Sequence, residues 1–187
     1  MIWNKVKLIN VCEKIGSGAT PRGGDASYIS QGISLVRSQN VLDFVFSKNG
    51  LAHITQEQAN ELANVELKER DVLVNITGDS VARVCQIPNQ FLPARVNQHV
   101  AILRADKSKL NPEYLMYCLL QPSNKESLLT YASGGATRKA LTKGMLEGFE
   151  FQIPDLPTQT RIASILSAFD DKIELNRQMN HTLEQMA

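Results

Sequence analysis

The residues best suited by type to covalent or metal chemistry are Cys12, Cys85 and Cys118 and the histidines His53, His99 and His181. A nucleophile needs a base placed beside it, and a metal centre needs clustered ligands. The cysteines are far apart, odd in number and flanked by apolar residues, which fits packed thiols in a reduced cytosolic protein better than a disulfide or zinc framework. The histidines form no ligand spacing with one another, and no carboxylates pair in a recognisable context. Residues 16–25, GSGATPRGGD, look like a phosphate cradle. A P-loop must close on Gly-Lys-Ser/Thr, whereas this loop closes on Gly24-Asp25. Pro21 stands where a dinucleotide fingerprint has its third glycine. It is either a surface loop or a loop whose backbone approaches a ligand.

What remains is hydrogen-bonding chemistry. Thr20, Arg22, Arg37, Gln39, Asn40, Arg83, Asn97, Gln98, Thr137, Arg138 and Lys139 are concentrated in segments between elements. Arg and Lys can pair with guanine O6 and N7, and Asn and Gln with adenine N6 and N7. Each could equally be a solvated loop residue or a turn-former, and Asn97 and Gln98, inside an apolar run, could tie strands together. The formal charge of +1 gives no global argument for nucleic acid, so any contact with DNA must use a local surface or a basic partner. Asn111-Pro112-Glu113-Tyr114 resembles the Asn-Pro-Pro-Tyr loop of adenine methyltransferases, but no glycine-rich cofactor loop precedes it. It reads instead as an N-cap and first residue of a helix through Leu120.

The elements that must position these loops mix strands and short helices. A chain of 187 residues with 43% hydrophobic and 21% charged residues has a real core, and no signal peptide or run of eighteen apolar residues appears. Strands are expected over 32–37, 71–76, 81–87, 95–103 and 149–153, with a strand or short helix in 3–15. Thr55-Gln56-Glu57-Gln58 and Ser123-Asn124-Lys125-Glu126 read as capping boxes opening helices to about Ala63 and Ala132, and Thr142 starts another helical turn. Strands outnumber helices without strict βαβ order, so the fold class is α+β.

Thr158 to Ala187 contains no Gly and no Pro, and Thr158 can act as N-cap after the breaker run Pro154-Asp155-Leu156-Pro157. On a seven-residue register Ile162, Phe169, Asn176 and Leu183 fall at a, and Ile165, Lys172, Met179 and Met186 at d. Leu166 and Ile173 widen the stripe. Thirty helical residues reach roughly 45 Å, more than a compact domain of this size needs. Lys172 and Asn176 on the seam suit a paired helix, where an a-position Asn fixes register, better than a core helix. The reading is an arm that pairs with another helix; a terminal helix lying on its own domain is the alternative. The division expected is 1–154 for the strand-rich domain and 155–187 for the helix.

Several stretches, in order, resemble one family: Gly18-Ala19-Thr20-Pro21; Asp71-Val72-Leu73 with Gly78-Asp79; residues 96–102, VNQHVAI; and Gly134 to Leu141. They lead into Ile153-Pro154, then residues 156–166, LPTQTRIASIL, and Asp171-Lys172-Ile173-Glu174-Leu175-Asn176. Together they closely resemble the specificity subunit of type I restriction–modification enzymes, along essentially the whole chain.

That resemblance implies a target recognition domain reading one half of a split sequence in double-stranded DNA, followed by a conserved helix that packs antiparallel on a second one. It implies no catalytic activity and no cofactor on this chain. S-adenosylmethionine is expected on the partner methylation subunit, which docks on the helical spacer, and the restriction subunit joins that complex. A full subunit has two such units. One unit here suggests half of a full subunit, or a half-length subunit that pairs as a homodimer through its helix. No membrane partner is implied, and the location is cytoplasmic. The competing readings are the recognition portion of a fused methyltransferase and a coiled-coil adaptor that never touches DNA.

Overall fold

The computed structural model describes residues 3–134 and 139–186. Its centre is a sheet buried on both sides, and the period-two side-chain pattern of two strands explains why. In β5 (Val72–Asn75), Val72 and Val74 enter one hydrophobic cluster and Leu73 the other. In β8 (Val100–Ala105), Ala101, Leu103 and Ala105 face the first cluster and Val100 and Ile102 the second. A strand apolar on both faces must be covered on both faces. With β2 (Cys12–Ser17) and β6 (Val84–Gln86) these strands make a four-stranded antiparallel sheet in the order β2-β8-β5-β6.

One face of that sheet is covered by helices α3 (Pro112–Leu120) and α4 (Pro122–Ser133) and by residues of α5 (Lys143–Glu147). The other is covered by a three-stranded sheet ordered β4-β3-β7, of β3 (Ile33–Val36), β4 (Ala52–Ile54) and β7 (Ala94–Val96), and by α2 (Gln56–Glu61). At the margin, β1 (Asn4–Lys7) pairs antiparallel with β9 (Glu150–Ile153), Asn4 opposite Ile153 and Lys7 opposite Glu150. The short helix α1 (Leu8–Val11) joins β1 to β2. The α+β class read from the sequence is therefore observed.

Local signals explain most helix starts. Asn111 Oδ1 accepts from Tyr114 N at 2.8 Å with Pro112 in the first turn, so Asn111-Pro112 does begin α3. Thr55 and Gln58 form the expected capping box of α2, and Thr142 caps α5. Three expectations are corrected. Helix α4 begins at Pro122 with no side-chain cap, so Ser123 lies inside the first turn instead of capping it, and Asn124 donates to Cys118 O at 2.8 Å. The last helix, α6 (Leu156–Met186), begins two residues before Thr158. Its cap is Asp155, whose Oδ1 accepts from Thr158 N at 2.8 Å, and Pro157 sits in a first turn that needs no N–H from it.

The third correction matters most for function. The single strand expected over 95–103 is two strands in different sheets, β7 and β8, broken at Asn97. Asn97 Oδ1 accepts from His99 N at 3.1 Å and Asn97 O from Val100 N at 3.2 Å, an Asn-turn that diverts the chain from one sheet to the next.

Candidate nucleic-acid interface

Strand register decides which loops meet. Ser17 stands opposite Ala101, Asn75 opposite Val100, and Val74 opposite Val84. The end of β2, the start of β8, the end of β5 and the start of β6 therefore lie side by side. The segments leaving there, 18–24, 97–99 and 76–83, are neighbours by construction. The parallel pair of Val36 with Val96, extended by Asn97 N donating to Val36 O at 3.0 Å, sets residues 37–40 alongside. A bridge from Thr77 to Ala140 and a bond from Gly78 N to Lys139 O (3.1 Å) add the return of the loop before α5.

Close backbone approach makes this end possible. Gly18 N donates to Val100 O at 2.9 Å, and a Cβ on Gly18 would lie 2.0 Å from Val96 O. Only glycine fits that position. Gly78, at φ +73°, turns the chain between β5 and β6.

Nine of the eleven residues singled out from the sequence lie on these converging segments; Thr137 and Arg138 lie outside the described residues. Their side chains serve two different ends. Asn40 is fully buried: its Oδ1 accepts from Arg37 N (3.0 Å), and its Nδ2 donates to Ser47 O (2.9 Å) and Asn49 O (3.2 Å). Asn97 is buried in the turn just described. For Asn40, and in large part for Asn97, the base-edge expectation gives way to a framework role, because the amide is already spent on backbone.

Arg37 and Gln39 both donate to Gly50 O, at 2.7 and 2.9 Å. The Arg37 guanidinium also lies over the Tyr28 ring, 5.2 Å from its centroid, and 3.9 Å from Asp25, so it is only partly exposed. Thr20, Arg22, Arg83, Gln98 and Lys139 are exposed. Among the described residues, Arg22 and Arg83 have no ion-pair partner, so their charge is available at the surface.

The residues singled out from the sequence did not include His99 or Thr77. His99 Nδ1 lies 2.7 Å from Thr77 Oγ1, and Gln98 Nε2 lies 3.2 Å from His99 Nε2. The only forewarning was the turn sequence Thr77-Gly78-Asp79-Ser80; nothing in composition points to His99. Beneath these loops, Asn75 Nδ2 donates to Ser38 O (2.8 Å) and Val41 O (3.2 Å), pinning residues 38–41 to the end of β5.

Groups with catalytic potential are elsewhere and muted. Burial pushes the thiols of Cys12, Cys85 and Cys118 up to about 12, so the nucleophilic thiolate is scarce at neutral pH. Among the described residues no group of His, Cys, Asp and Glu could hold a metal ion, and no helix is long and apolar enough to cross a membrane.

The arm has two faces. Gln159, 1% exposed, accepts from Asn111 N at 2.9 Å and donates to Lys109 O (3.2 Å) and Pro154 O (3.0 Å). Ala163 is buried, Ile162 is partly buried against the core, and Tyr117 OH donates to Asp170 Oδ2 at 2.6 Å. Beyond Asp170 the helix is exposed throughout. At about 100° per residue, Ile165, Phe169, Asn176, Met179 and Leu183 lie roughly 140° around the axis from Gln159, Ala163 and Asp170. Phe169 is 64% exposed and Leu183 61%. Ile162, expected on the pairing stripe, packs on the core of its own domain instead, while the rest of the stripe from Ile165 to Leu183 faces away from that domain. Next to the arm, Leu42, Phe44 and Val45 form a smaller exposed apolar group that no sequence pattern signalled.

The strand scaffold thus gathers hydrogen-bonding loops at one end and holds out a long helix with an exposed apolar stripe. The family model for the type I restriction modification DNA specificity domain matches residues 2–185, and the chain belongs to that family. It is 32% identical over 182 residues to a putative type I restriction enzyme specificity subunit, MjaX, of Methanocaldococcus jannaschii, covering 95% of this chain and 42% of that one. It is 29% identical over 126 residues to the HindI specificity subunit of Haemophilus influenzae, covering 67% of this chain and 28% of that one. The HsdS subunit from Thermoanaerobacter tengcongensis shares the fold, with a TM-score of 0.64 at 20% identity, covering 94% of this chain and 39% of that one. The chain spans less than half the length of each of these proteins.

Proposed function

We propose that this chain is a DNA-recognition unit of a type I restriction–modification enzyme, reading one half of a split target and performing no chemistry itself. The observation that carries this reading is the convergence, fixed by strand register, of segments 18–24, 37–40, 76–83, 97–99 and 139–140 at one end of the two sheets. That end is the one place where exposed Arg22, Arg83 and Lys139 meet exposed Gln98 and Thr20. Cations hold phosphates and set orientation, while amides and hydroxyls test base edges. A near-neutral chain with a local cationic surface suits a subunit whose partners share the work of neutralising the duplex.

The arm supplies the second half of the function. Ile165, Phe169, Asn176, Met179 and Leu183 would pair with the helix of a second specificity half or of a second copy of this chain. The methylation subunit docks on that spacer and carries S-adenosylmethionine; the restriction subunit joins the assembly. The division of labour places the chain in the cytoplasm, with the DNA it reads.

Methylome sequencing of a host expressing the complete system tests this. The expected result is a split motif with methylated adenines, one half of which changes when residues 1–154 are exchanged for those of another family member. A motif indifferent to that exchange would overturn the reading.

A further inference from the structure

We propose that Thr77 and His99 are positioning residues that hold Gln98 ready to read an adenine in the target half-site. The inference rests on the proposed DNA-reading role and assigns it to particular atoms. The three side chains form one hydrogen-bonded file, Thr77 Oγ1 to His99 Nδ1 at 2.7 Å and His99 Nε2 to Gln98 Nε2 at 3.2 Å. With its amide nitrogen facing the ring, Gln98 donates to Nε2, and the tautomer that matches carries its proton on Nδ1, toward Thr77 Oγ1. Gln98 keeps one N–H and its carbonyl oxygen uncommitted. One donor and one acceptor on a planar group are what adenine N7 and N6 require together.

The file is anchored at both ends by backbone. Gln98 sits at the tip of the turn that Asn97 closes through His99 N (3.1 Å) and Val100 N (3.2 Å). His99 O accepts from Ile76 N at 3.0 Å, one residue before Thr77, so the two loops cannot separate without breaking the sheet end. Glutamine is among the side chains with most rotamer freedom to lose, and an exposed one contributes little to binding unless that loss is met beforehand. The imidazole meets it. Neighbouring Asn97 has the same chemistry but is buried, and Gln39 is tied to Gly50 O. Gln98 is thus the exposed amide of this face held by another side chain rather than by backbone.

The test uses the full chain assembled with its methylation subunit and a randomised duplex library, followed by binding to the selected duplex and its single-base variants. For the unaltered protein a specific adenine should be preferred at one position by roughly 5- to 150-fold, the range for a bidentate contact. Gln98→Ala should abolish the preference at that position and leave the others intact. His99→Ala and Thr77→Val should reduce it by roughly 2- to 10-fold at the same position, and Thr77→Ser should restore it. A role in loop stability alone would lower affinity at every position alike. Enrichment of the same motif by Gln98→Ala would overturn this inference while leaving the DNA-reading role standing. No enrichment by the unaltered assembly would overturn both. Because Gln98 is exposed, its alanine variant decides the matter even if His99→Ala does not fold.

Discussion

The loop end of the sheets, proposed to meet DNA, and the outer half of α6, proposed to meet another helix, are made in opposite ways. At the loop end, polar side chains are turned inward to hold the backbone still: Asn40, Asn75 and Asn97 are all buried and all bonded to main-chain groups. From Phe169 onward, apolar side chains are turned outward, with Phe169, Met179 and Leu183 in solvent. The first arrangement makes specificity from rigidity, since a hydrogen-bonding surface discriminates only if it cannot adjust to the wrong partner. The second makes affinity from incompleteness, since an unfilled apolar stripe releases its free energy when another helix covers it.

The contrast predicts where damage should register. Asn40→Ala should be the most harmful of four changes, costing about 2–4 kcal/mol of folding stability because the Ser47 and Asn49 carbonyls lose a donor and Arg37 N loses its acceptor. Denaturant unfolding measures this, and any surviving complex should keep its base preferences. If Asn40→Ala is stable and alters the motif, Asn40 reads bases and the two regions are less unlike than described. Gly18→Ala should follow at about 1–3 kcal/mol, because the added methyl forces the backbone of β7 away. Its thermal melt should fall, and DNA affinity should drop with it.

Leu183→Lys reverses the pattern. The isolated chain should melt as before, while assembly weakens by a few kcal/mol if burial in the pair is complete. Sedimentation of the variant with its methylation subunit separates the two effects, and unchanged assembly would remove Leu183 from the seam. The smallest effect belongs to Arg83→Ala. It should leave stability within about 0.5 kcal/mol, lower affinity for all sequences together and reduce the salt slope by about one unit. A change confined to one base position would make Arg83 a reader instead.

Much of this could be read from the chain, and the limits have physical causes. Helix starts at Asn111, Thr55 and Thr142 were legible because a cap is a bond between a side chain and backbone two or three residues on. The arm's stripe was legible because helical periodicity is local. The break at Asn97 was not, since β-branched residues flank it on both sides and only tertiary pairing shows that β7 and β8 belong to different sheets. The candidate residues were chosen by type, which says what Asn40 can bond but not that its own loop uses it. His99 was passed over because a lone histidine has no pattern; its partner Thr77 is twenty-two positions away and arrives through the register of β5 and β8.

The clasp of β1 with β9 has a consequence for how the chain is made. Asn4 leaves the ribosome well before its partner Ile153. At roughly 5–20 residues per second, the opening strand waits on the order of 7–30 s for its mate. Through that interval the surface that will receive α6 is unfinished, because Phe149, Phe151 and Ile153 belong to the same core as Leu8, Val11 and Ala163. The arm is synthesised only after β9, so it has no complete docking site until β9 has paired with β1.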